Sequence, residues 1–380
     1  MNHSKFFNEN RLKKLRNQTP LFVFCKEALI SNVKEYQRHL PKKTEICYAM
    51  KANSEKIVLQ TLNAVGVNFE VASKYELTIL KKMKIPARRI IYGAPVKPEI
   101  HIKEFIRYGV DRFVFDSEQE LLKIAKFAPG SRVYIRVHVN DKADSVFIMS
   151  TKFGIELNKS VFLLLKAKEL GLIPYGISFN VGSQARNAQA WARGIRDIIR
   201  IMMKLLKSGI KIKVINIGGG FPQSYQTNDG FPTIKTISEY IDTVKKKLPY
   251  NVNFIAEPGR GLVANAFVLI TAIIGKNKRS NGHWLFLDAG VYNALLESMT
   301  CQGSTKYHIE VISNNALSKK MENFILTGPT CDNLDVINQK ILLPHDINLN
   351  DKLLIYDVGA YTFPLITHFN GFPKPKIIQY

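Results

Sequence analysis

Lys51 stands at the end of an otherwise apolar run with the composition of a β-strand, in the stretch CYAMKANS. A charged ammonium beside such a run is expensive to desolvate, so this position needs an explanation. The lysine either begins a surface loop or carries chemistry as an amine nucleophile. Two other strand-like runs end in reactive or flexible residues: VNFI leads into Glu257 and Arg260, and KVINI leads into the three glycines Gly218 to Gly220.

The three glycines and Arg260 form a candidate anion site. Glycine lets the backbone approach closely and turn its N–H groups inward, as an anion-binding nest requires, and arginine adds a planar charged donor. A phosphate site, a lysine opposite it and a carboxylate between them describe a pocket for pyridoxal phosphate. Lys51 would bond the cofactor's aldehyde, and Glu257 would keep the ring nitrogen protonated.

A common site requires that the strands before these residues lie side by side and end at the same edge. Short runs rich in Val, Ile, Tyr and Phe alternate with segments of helical spacing, which predicts parallel strands joined by crossovers. Eight such units in about 230 residues match the size of a (β/α)₈ barrel. The runs are TEICYAM, VNFEVAS, RIIYGA, RFVFDS, RVYIRVHV, YGISFNV, KVINIGGG and VNFIAEPG. The helical segment KEALISNVKEYQRHL, before the first strand, is expected to fill the place in the helix ring after the eighth.

In such a barrel the active site lies at the C-terminal ends of the strands, and the loops after strands seven and eight are the usual phosphate position. The predicted strand ends carry polar residues and glycines. In strand order these are Lys51, Glu70, Arg136, Asn180 with Ser183, Gly218 to Gly220, and Glu257 with Arg260.

After Arg260 the sequence changes to strand-like runs without helices between them, such as YHIEVIS, ENFILTG and KLLIYDVGA. The early run PLFVFC has no crossover helix before it and could join these strands. We therefore predict a barrel over residues 28–261 and a β-rich domain made of residues 1–27 and 262–380.

The chain has 380 residues and a formal net charge of +23. Its lysines occur in pieces such as LKKMK and VKKKL, with other residues between them, which is typical of solvated helix faces rather than a nucleic-acid surface. An acidic protein partner remains open. The first twenty residues lack an apolar h-region, and no apolar run is long enough to span a bilayer. We expect a cytoplasmic protein that binds neither nucleic acid nor membrane.

The four cysteines, Cys25, Cys47, Cys301 and Cys331, are scattered and lack CxxC or Cys/His ligand spacing. The spacing predicts neither a disulfide framework nor a metal site. Reduced thiols are expected.

Motifs along nearly the whole chain resemble the pyridoxal-phosphate decarboxylases of the alanine-racemase fold, which include eukaryotic-type ornithine decarboxylase and diaminopimelate decarboxylase. The motifs are YAMKAN, FEVASKYEL, FVFDSEQEL, STKFG, VGSQ, GGGFP, AEPGR, GPTCDNLD, GAYT and FNGF. The resemblance implies a barrel followed by a β domain, pyridoxal phosphate as cofactor, and a head-to-tail homodimer whose two sites are each built from both subunits.

The resemblance also implies roles for individual residues. Lys51 would be the Schiff-base lysine and Glu257 the partner of the ring nitrogen, with Arg136 beside the ring and Glu70 where ornithine decarboxylases place an aspartate. The implied phosphate contacts are Ser183, Gly218, Gly219, Gly220, Arg260 and Tyr361. Cys331 resembles the proton donor that reaches in from the neighbouring subunit, and Asp332 would meet the substrate's distal amine.

Two residues depart from the family's pattern. Asn180 stands where the family usually has a histidine stacked on the cofactor ring, and an amide can neither supply an imidazole's stacking area nor titrate near neutrality. Tyr307, in KYHIEV, takes the place of an aspartate that ornithine decarboxylases carry in their β domain. The substrate's distal amine is therefore expected to meet one carboxylate, Asp332, unless Glu297 in ALLESM approaches.

These features predict decarboxylation of a basic amino acid, L-ornithine ahead of L-lysine, to give a diamine such as putrescine. Asp332 would pair with an ammonium group, whereas a diaminopimelate enzyme needs positive charge for a distal carboxylate. One alternative is a decarboxylase of diaminopimelate, or of a modified or carrier-bound amino acid in siderophore or antibiotic synthesis. Another is a catalytically silent homologue that binds a regulatory protein, as antizyme inhibitors do.

Overall fold

The computed structural model describes residues 6–15, 18–139, 145–147, 152–225, 229–300 and 307–380. The thiols of Cys25, Cys47 and Cys331 are free, whereas Cys301 lies outside the described residues. Among the helices in these ranges, none combines the length and the apolar character needed to cross a membrane.

In chain order, the elements up to the last barrel strand are α1 (Glu9–Lys14), β1 (Leu21–Phe24), α2 (Lys26–His39), β2 (Glu45–Ala49), α3 (Lys56–Ala64), β3 (Asn68–Val71), α4 (Lys74–Lys82), β4 (Ile90–Tyr92), α5 (Glu99–Tyr108), β5 (Arg112–Phe115), α6 (Glu118–Phe127), β6 (Arg132–Arg136), β7 (Ser145–Phe147), α7 (Leu157–Glu169), β8 (Ile173–Ser178), β9 (Ser183–Ala185), α8 (Gln189–Lys207), β10 (Val214–Asn216), α9 (Ile234–Lys245) and β11 (Asn253–Ala256). Beyond it they are α10 (Arg260–Val263), β12 (Phe267–Arg279), β13 (Gly282–Leu287), α11 (Leu296–Thr300), β14 (Ile309–Ile312), β15 (Met321–Thr327), β16 (Val336–Pro344), β17 (Lys352–Tyr356) and β18 (Lys376–Gln379).

Strands β2, β3, β4, β5, β6, β8, β10 and β11 close into a parallel barrel. All the strand runs predicted for the barrel are among them, so the (β/α)₈ prediction is confirmed. Helix α2 packs against both α3 and α9, next to the pairing of β11 with β2. It therefore completes the helix ring at the place expected for it.

Local sequence explains how the barrel helices begin and which face they bury. The side chain of Ser73 accepts a hydrogen bond from the backbone N–H of Glu76 and caps α4, and Ser117 caps α6 in the same way. Such caps satisfy N–H groups that have no partner inside the helix. Helix α4 then buries Leu77 and Leu80, which lie on one face against the barrel.

The second sheet has the strand order β14-β17-β12-β13-β15-β16, and β1 pairs with both β12 and β18. The early run PLFVFC thus forms β1, which lies antiparallel to the start of β12. The residue boundaries proposed for the two domains stay a prediction.

The small sheet formed by β7 and β9, in which Phe147 lies opposite Ser183, was not predicted from the sequence. Each strand has three residues, too few to show a periodic pattern. Gly182 has a φ of 92°, and a Cβ at this position would overlap Ser145 Oγ. Glycine therefore lets β7 lie against the loop that follows β8.

Candidate active site

A cavity of about 270 Å³ opens at the C-terminal ends of the barrel strands. We call it the mouth cavity. Several residues predicted for the site line it: Lys51, Glu70, Asn180, Ser183, Gly219, Gly220, Glu257, Arg260 and Tyr361. Its size is close to the lower end of the range for small-molecule pockets, about 300 Å³.

Lys51 lies in a 3-10 turn, Met50–Ala52, directly after β2. It is exposed between two buried neighbours, and the surface it exposes lines the mouth cavity. Partial desolvation inside the cavity opposes the charged form, but the acidic groups of Glu70, Tyr361 and Glu257 outweigh this effect and raise the pKa of the lysine. These acidic groups therefore favour the ammonium form of Lys51.

Glu257 follows β11, and its Oε1 accepts a hydrogen bond from Asn216 Nδ2 at 2.6 Å. Burial and, second to it, the charge of Glu70 raise the pKa of this carboxyl to about 7, against the hydrogen bond from Asn216 and the charge of Lys51. A protonated ring nitrogen beside Glu257 would favour its ionised form.

Glu70 belongs to β3, is buried and faces the mouth cavity. A Cβ at Gly93 would overlap Glu70 Oε1, so the glycine after β4 makes room for this side chain. Gly93 was not among the predicted site residues, although a glycine near the end of the run RIIYGA is a signal for close approach of another group.

The glycine turn after β10 supplies two backbone donors. The N–H of Gly218 is committed to Asn216 Oδ1 at 2.9 Å, so the donors left for an anion belong to Gly219 and Gly220. Neither of these N–H groups donates to another described residue. Gly218 is required by the turn itself, because it has a φ of 65° and a Cβ there would overlap the carbonyl oxygen of Phe179.

Arg260 lies beside this turn and is buried. Its Nη1 donates to Tyr225 Oη at 2.8 Å and to Glu297 Oε2 at 2.6 Å, and its Nη2 donates to Glu297 Oε1. The Nε is buried and has no partner among the described residues. Buried donors are normally satisfied, and a phosphate oxygen is one group that would satisfy this one.

Asn180 lines the mouth cavity, whereas Arg136 does not, and neither side chain offers an aromatic surface. Asn180 Oδ1 accepts a hydrogen bond from the N–H of Gly182 at 2.9 Å, so the amide braces the loop after β8. Arg136 ends β6 and lies in a small recess that it shares with Asn180 and Glu257.

Cys331 and Asp332 lie on the loop between β15 and β16 and do not line the mouth cavity of their own chain. Cys331 is exposed, and its backbone N–H and its Sγ donate to Asn370 Oδ1 at 3.3 and 3.4 Å. Asp332 Oδ2 accepts a hydrogen bond from Tyr292 Oη at 3.1 Å.

Tyr307 is buried and also lies outside the cavity lining. Its ring packs edge-on against Tyr225, with 5.7 Å between the ring centroids. The predicted contact of Tyr307 with the substrate therefore has no counterpart in the cavity, and it stays a prediction.

Phe147 and Tyr225 also belong to the site, although neither was predicted from the sequence. Phe147 lines the mouth cavity because β7 pairs with β9 at Ser183, and Tyr225 hydrogen-bonds Arg260. No local pattern marks either residue, since both positions depend on contacts between distant segments.

The residues present fit pyridoxal phosphate. The mouth cavity offers an amine at Lys51, a carboxyl at Glu257 and unpartnered donors at Gly219, Gly220 and Arg260. In the described part of the chain, His, Cys, Asp and Glu side chains form no group of three that could hold a metal ion.

Residues 26–264 match the family model described as the pyridoxal-binding domain of pyridoxal-dependent decarboxylases. The chain belongs to this family. The lysine/ornithine decarboxylase of Selenomonas ruminantium is 33% identical to this decarboxylase over 371 residues, which cover 96% of this chain and 91% of that protein.

Two solved structures extend the comparison to the whole fold of the decarboxylase. A mutant of SrLDC in complex with PLP superimposes with a TM-score of 0.91 at 30% identity, covering 98% of this chain and 95% of that chain. The arginine decarboxylase of Paramecium bursaria Chlorella virus gives a TM-score of 0.89 at 28% identity, covering 98% and 99%. The predicted fold class, the pyridoxal phosphate cofactor and the assignment as an enzyme are confirmed.

Proposed function

We propose that this decarboxylase removes the α-carboxylate of a diamino acid, L-ornithine ahead of L-lysine, and releases the corresponding diamine. Relatives named for lysine, ornithine and arginine support a basic amino acid as the substrate. The choice of a diamino acid rests on the position of Asp332. This carboxylate is partly exposed, lies next to Cys331 and accepts a hydrogen bond from Tyr292. A carboxylate presented in this way favours a distal ammonium group.

Pyridoxal phosphate, when bound, supplies the electron sink that makes loss of CO₂ from an α-carbon feasible. Lys51 would hold its aldehyde end, and Glu257 would keep its ring nitrogen protonated. The residues that would hold its phosphate are Ser183, Gly219, Gly220, Arg260 and Tyr361.

We further propose a homodimer in which Cys331 and Asp332 complete the site of the neighbouring chain. Within one chain neither residue lines the mouth cavity, and the loop that carries them exposes Cys331. In the dimer Cys331 of the partner subunit would return a proton to the α-carbon. Asp332 of the partner subunit would bind the distal ammonium group.

Glu297 supplies no second carboxylate for this ammonium group in the proposal. Both of its carboxylate oxygens accept hydrogen bonds from Arg260. The distal amine would therefore meet Asp332 alone, which leaves room for both ornithine and lysine.

Release of CO₂ from ornithine, lysine, arginine and diaminopimelate by the purified protein tests the proposal. The expected order of kcat/KM is ornithine, then lysine, then arginine, with no reaction of diaminopimelate. Asp332→Asn should reduce kcat/KM for ornithine about tenfold or more, because it removes a charge-assisted hydrogen bond. Turnover of diaminopimelate alone would contradict the role given to Asp332.

A further inference from the structure

Arg260 and Glu297 form a buried pair at the phosphate end of the mouth cavity. The side chains are 4% and 6% exposed, and two parallel hydrogen bonds join them. Such bidentate pairs fix the plane of a guanidinium as well as its position. Glu297 comes from α11, in the β-rich part of the chain, whereas Arg260 directly follows the last barrel strand and its EPG turn.

Two rings flank the same guanidinium. Arg260 Cζ lies 4.7 Å from the centroid of the Tyr361 ring and 5.6 Å from that of Phe147. Tyr225 Oη accepts a further hydrogen bond at 2.8 Å. The long arginine side chain would otherwise sample many rotamers, and its neighbours confine it to one arrangement.

We propose that Glu297 is the positioning residue for the phosphate end of the site, and that it acts through Arg260. This inference rests on the proposed function, because it takes pyridoxal phosphate as the ligand. Two effects of Glu297 oppose each other. Its negative charge repels a phosphate nearby, while its two hydrogen bonds hold Arg260 in the orientation that binds one. The buried, bidentate geometry points to the second effect as the larger, because a guanidinium left without this partner would turn to find another.

The two effects change the affinity for pyridoxal phosphate in opposite directions, so a substitution of Glu297 can distinguish them. Glu297→Gln removes the charge and replaces one acceptor oxygen by a donor group. We expect the affinity for pyridoxal phosphate to fall about tenfold or more, as loss of a charge-assisted hydrogen bond predicts. The affinity for pyridoxal, which lacks the phosphate, should not change. Equal or tighter binding of pyridoxal phosphate by the variant would overturn the proposal.

Fluorescence titration of the cofactor-stripped protein measures both affinities without relying on activity. Asp111→Asn is the matched control, because Asp111 forms a bidentate pair with Arg132 that lies at the opposite, N-terminal ends of the barrel strands. It removes the same charge and should leave both affinities unchanged. A loss in this control equal to that in Glu297→Gln would mean that net charge or stability decides, and would overturn the positioning role.

Glu297→Asp keeps the charge and shortens the side chain by one methylene. This variant tests the same proposal if the glutamine variant does not fold. It should also lower the affinity for pyridoxal phosphate relative to pyridoxal, whereas an unchanged ratio would overturn the proposal. If the unsubstituted protein forms no borohydride-reducible bond with pyridoxal phosphate at Lys51, the proposed function fails as well. If it forms that bond and the two Glu297 variants bind like the unsubstituted protein, this inference fails alone.

Discussion

Glu70 acts electrostatically on two other groups that line the mouth cavity, Lys51 and Glu257. Its charge raises the pKa of Lys51 and also that of Glu257. A change at Glu70 is therefore expected to alter the proton occupancy of both Lys51 and Glu257.

Glu70→Gln should let Lys51 react with pyridoxal phosphate at lower pH. The substitution removes a charge that favours the ammonium form, so the pKa of Lys51 falls and the nucleophilic free amine becomes available earlier in a pH titration. The measurement is the rate of visible absorbance gain on adding the cofactor to stripped protein, as a function of pH. A midpoint that stays in place or moves upward would refute this role of Glu70.

Glu257→Gln should change the stability of the cofactor-free protein in a pH-dependent way. Burial raises the pKa of Glu257 from 4.5 to about 7, so between these values the folded chain holds a proton that the unfolded chain has lost. Stability therefore falls as the pH rises from 4.5 to about 7, by linkage.

The glutamine variant cannot ionise, and its melting temperature should fall less than that of the unsubstituted protein over this range. Decarboxylation should be lost at the same time, because the ring nitrogen would lack its anionic partner. If the melting temperatures of the two proteins changed equally with pH over this range, the raised pKa assigned to Glu257 would be wrong.

At the level of secondary structure, the neighbouring strands β3 and β4 determine the position of Glu70. The Glu70 side chain occupies the space beside Gly93, directly after β4, where a larger residue would overlap it. Gly93→Ala would place a methyl group where Glu70 Oε1 lies. We expect the acid to be displaced and the free energy of unfolding to fall by about 1–3 kcal/mol, as for overpacking elsewhere.

Displacement of Glu70 in Gly93→Ala should reproduce the lower pH midpoint for cofactor uptake expected of Glu70→Gln, and urea denaturation measures the loss of stability. Gly275→Ala is a suitable control, because its nearest contact would be Phe286 Cβ at 3.3 Å, in the second sheet. A Gly93→Ala protein with unchanged stability and uptake would show that the side chain of Glu70 is not confined there.

At the level of the whole molecule, the separation of Cys331 from the mouth cavity of its own chain leads to a prediction about mixed dimers. Lys51→Ala and Cys331→Ala should each inactivate a homodimer with shared sites. When the two variants are mixed and allowed to exchange subunits, half of the dimers should be mixed, each with one intact site. About one quarter of the unsubstituted activity should return.

CO₂ release before and after mixing, with size-exclusion chromatography to establish the dimer, is the measurement. Mixing two preparations of Lys51→Ala is the control and should restore nothing. Failure of the two different variants to complement each other, in a confirmed dimer that exchanges subunits, would place both residues in one chain's site.

The sequence by itself determined the barrel and the end of it at which the polar residues gather. Each barrel strand is a local apolar run and each crossover a local helical period, so these elements could be found without knowing their neighbours. Lys51 and Glu257 were found for the same reason, because each directly follows such a strand and parallel strands bring their ends to one mouth.

Only the tertiary structure decided which groups meet across that mouth. Three contacts join segments from different parts of the chain. Arg260 pairs with Glu297, Phe147 reaches the cavity because β7 pairs with β9, and the Tyr307 ring packs against Tyr225. The commitment of the Gly218 N–H to Asn216 likewise depends on the turn geometry after β10. Side-chain partners of this kind follow from packing and loop conformation, which leave no periodic trace in the sequence.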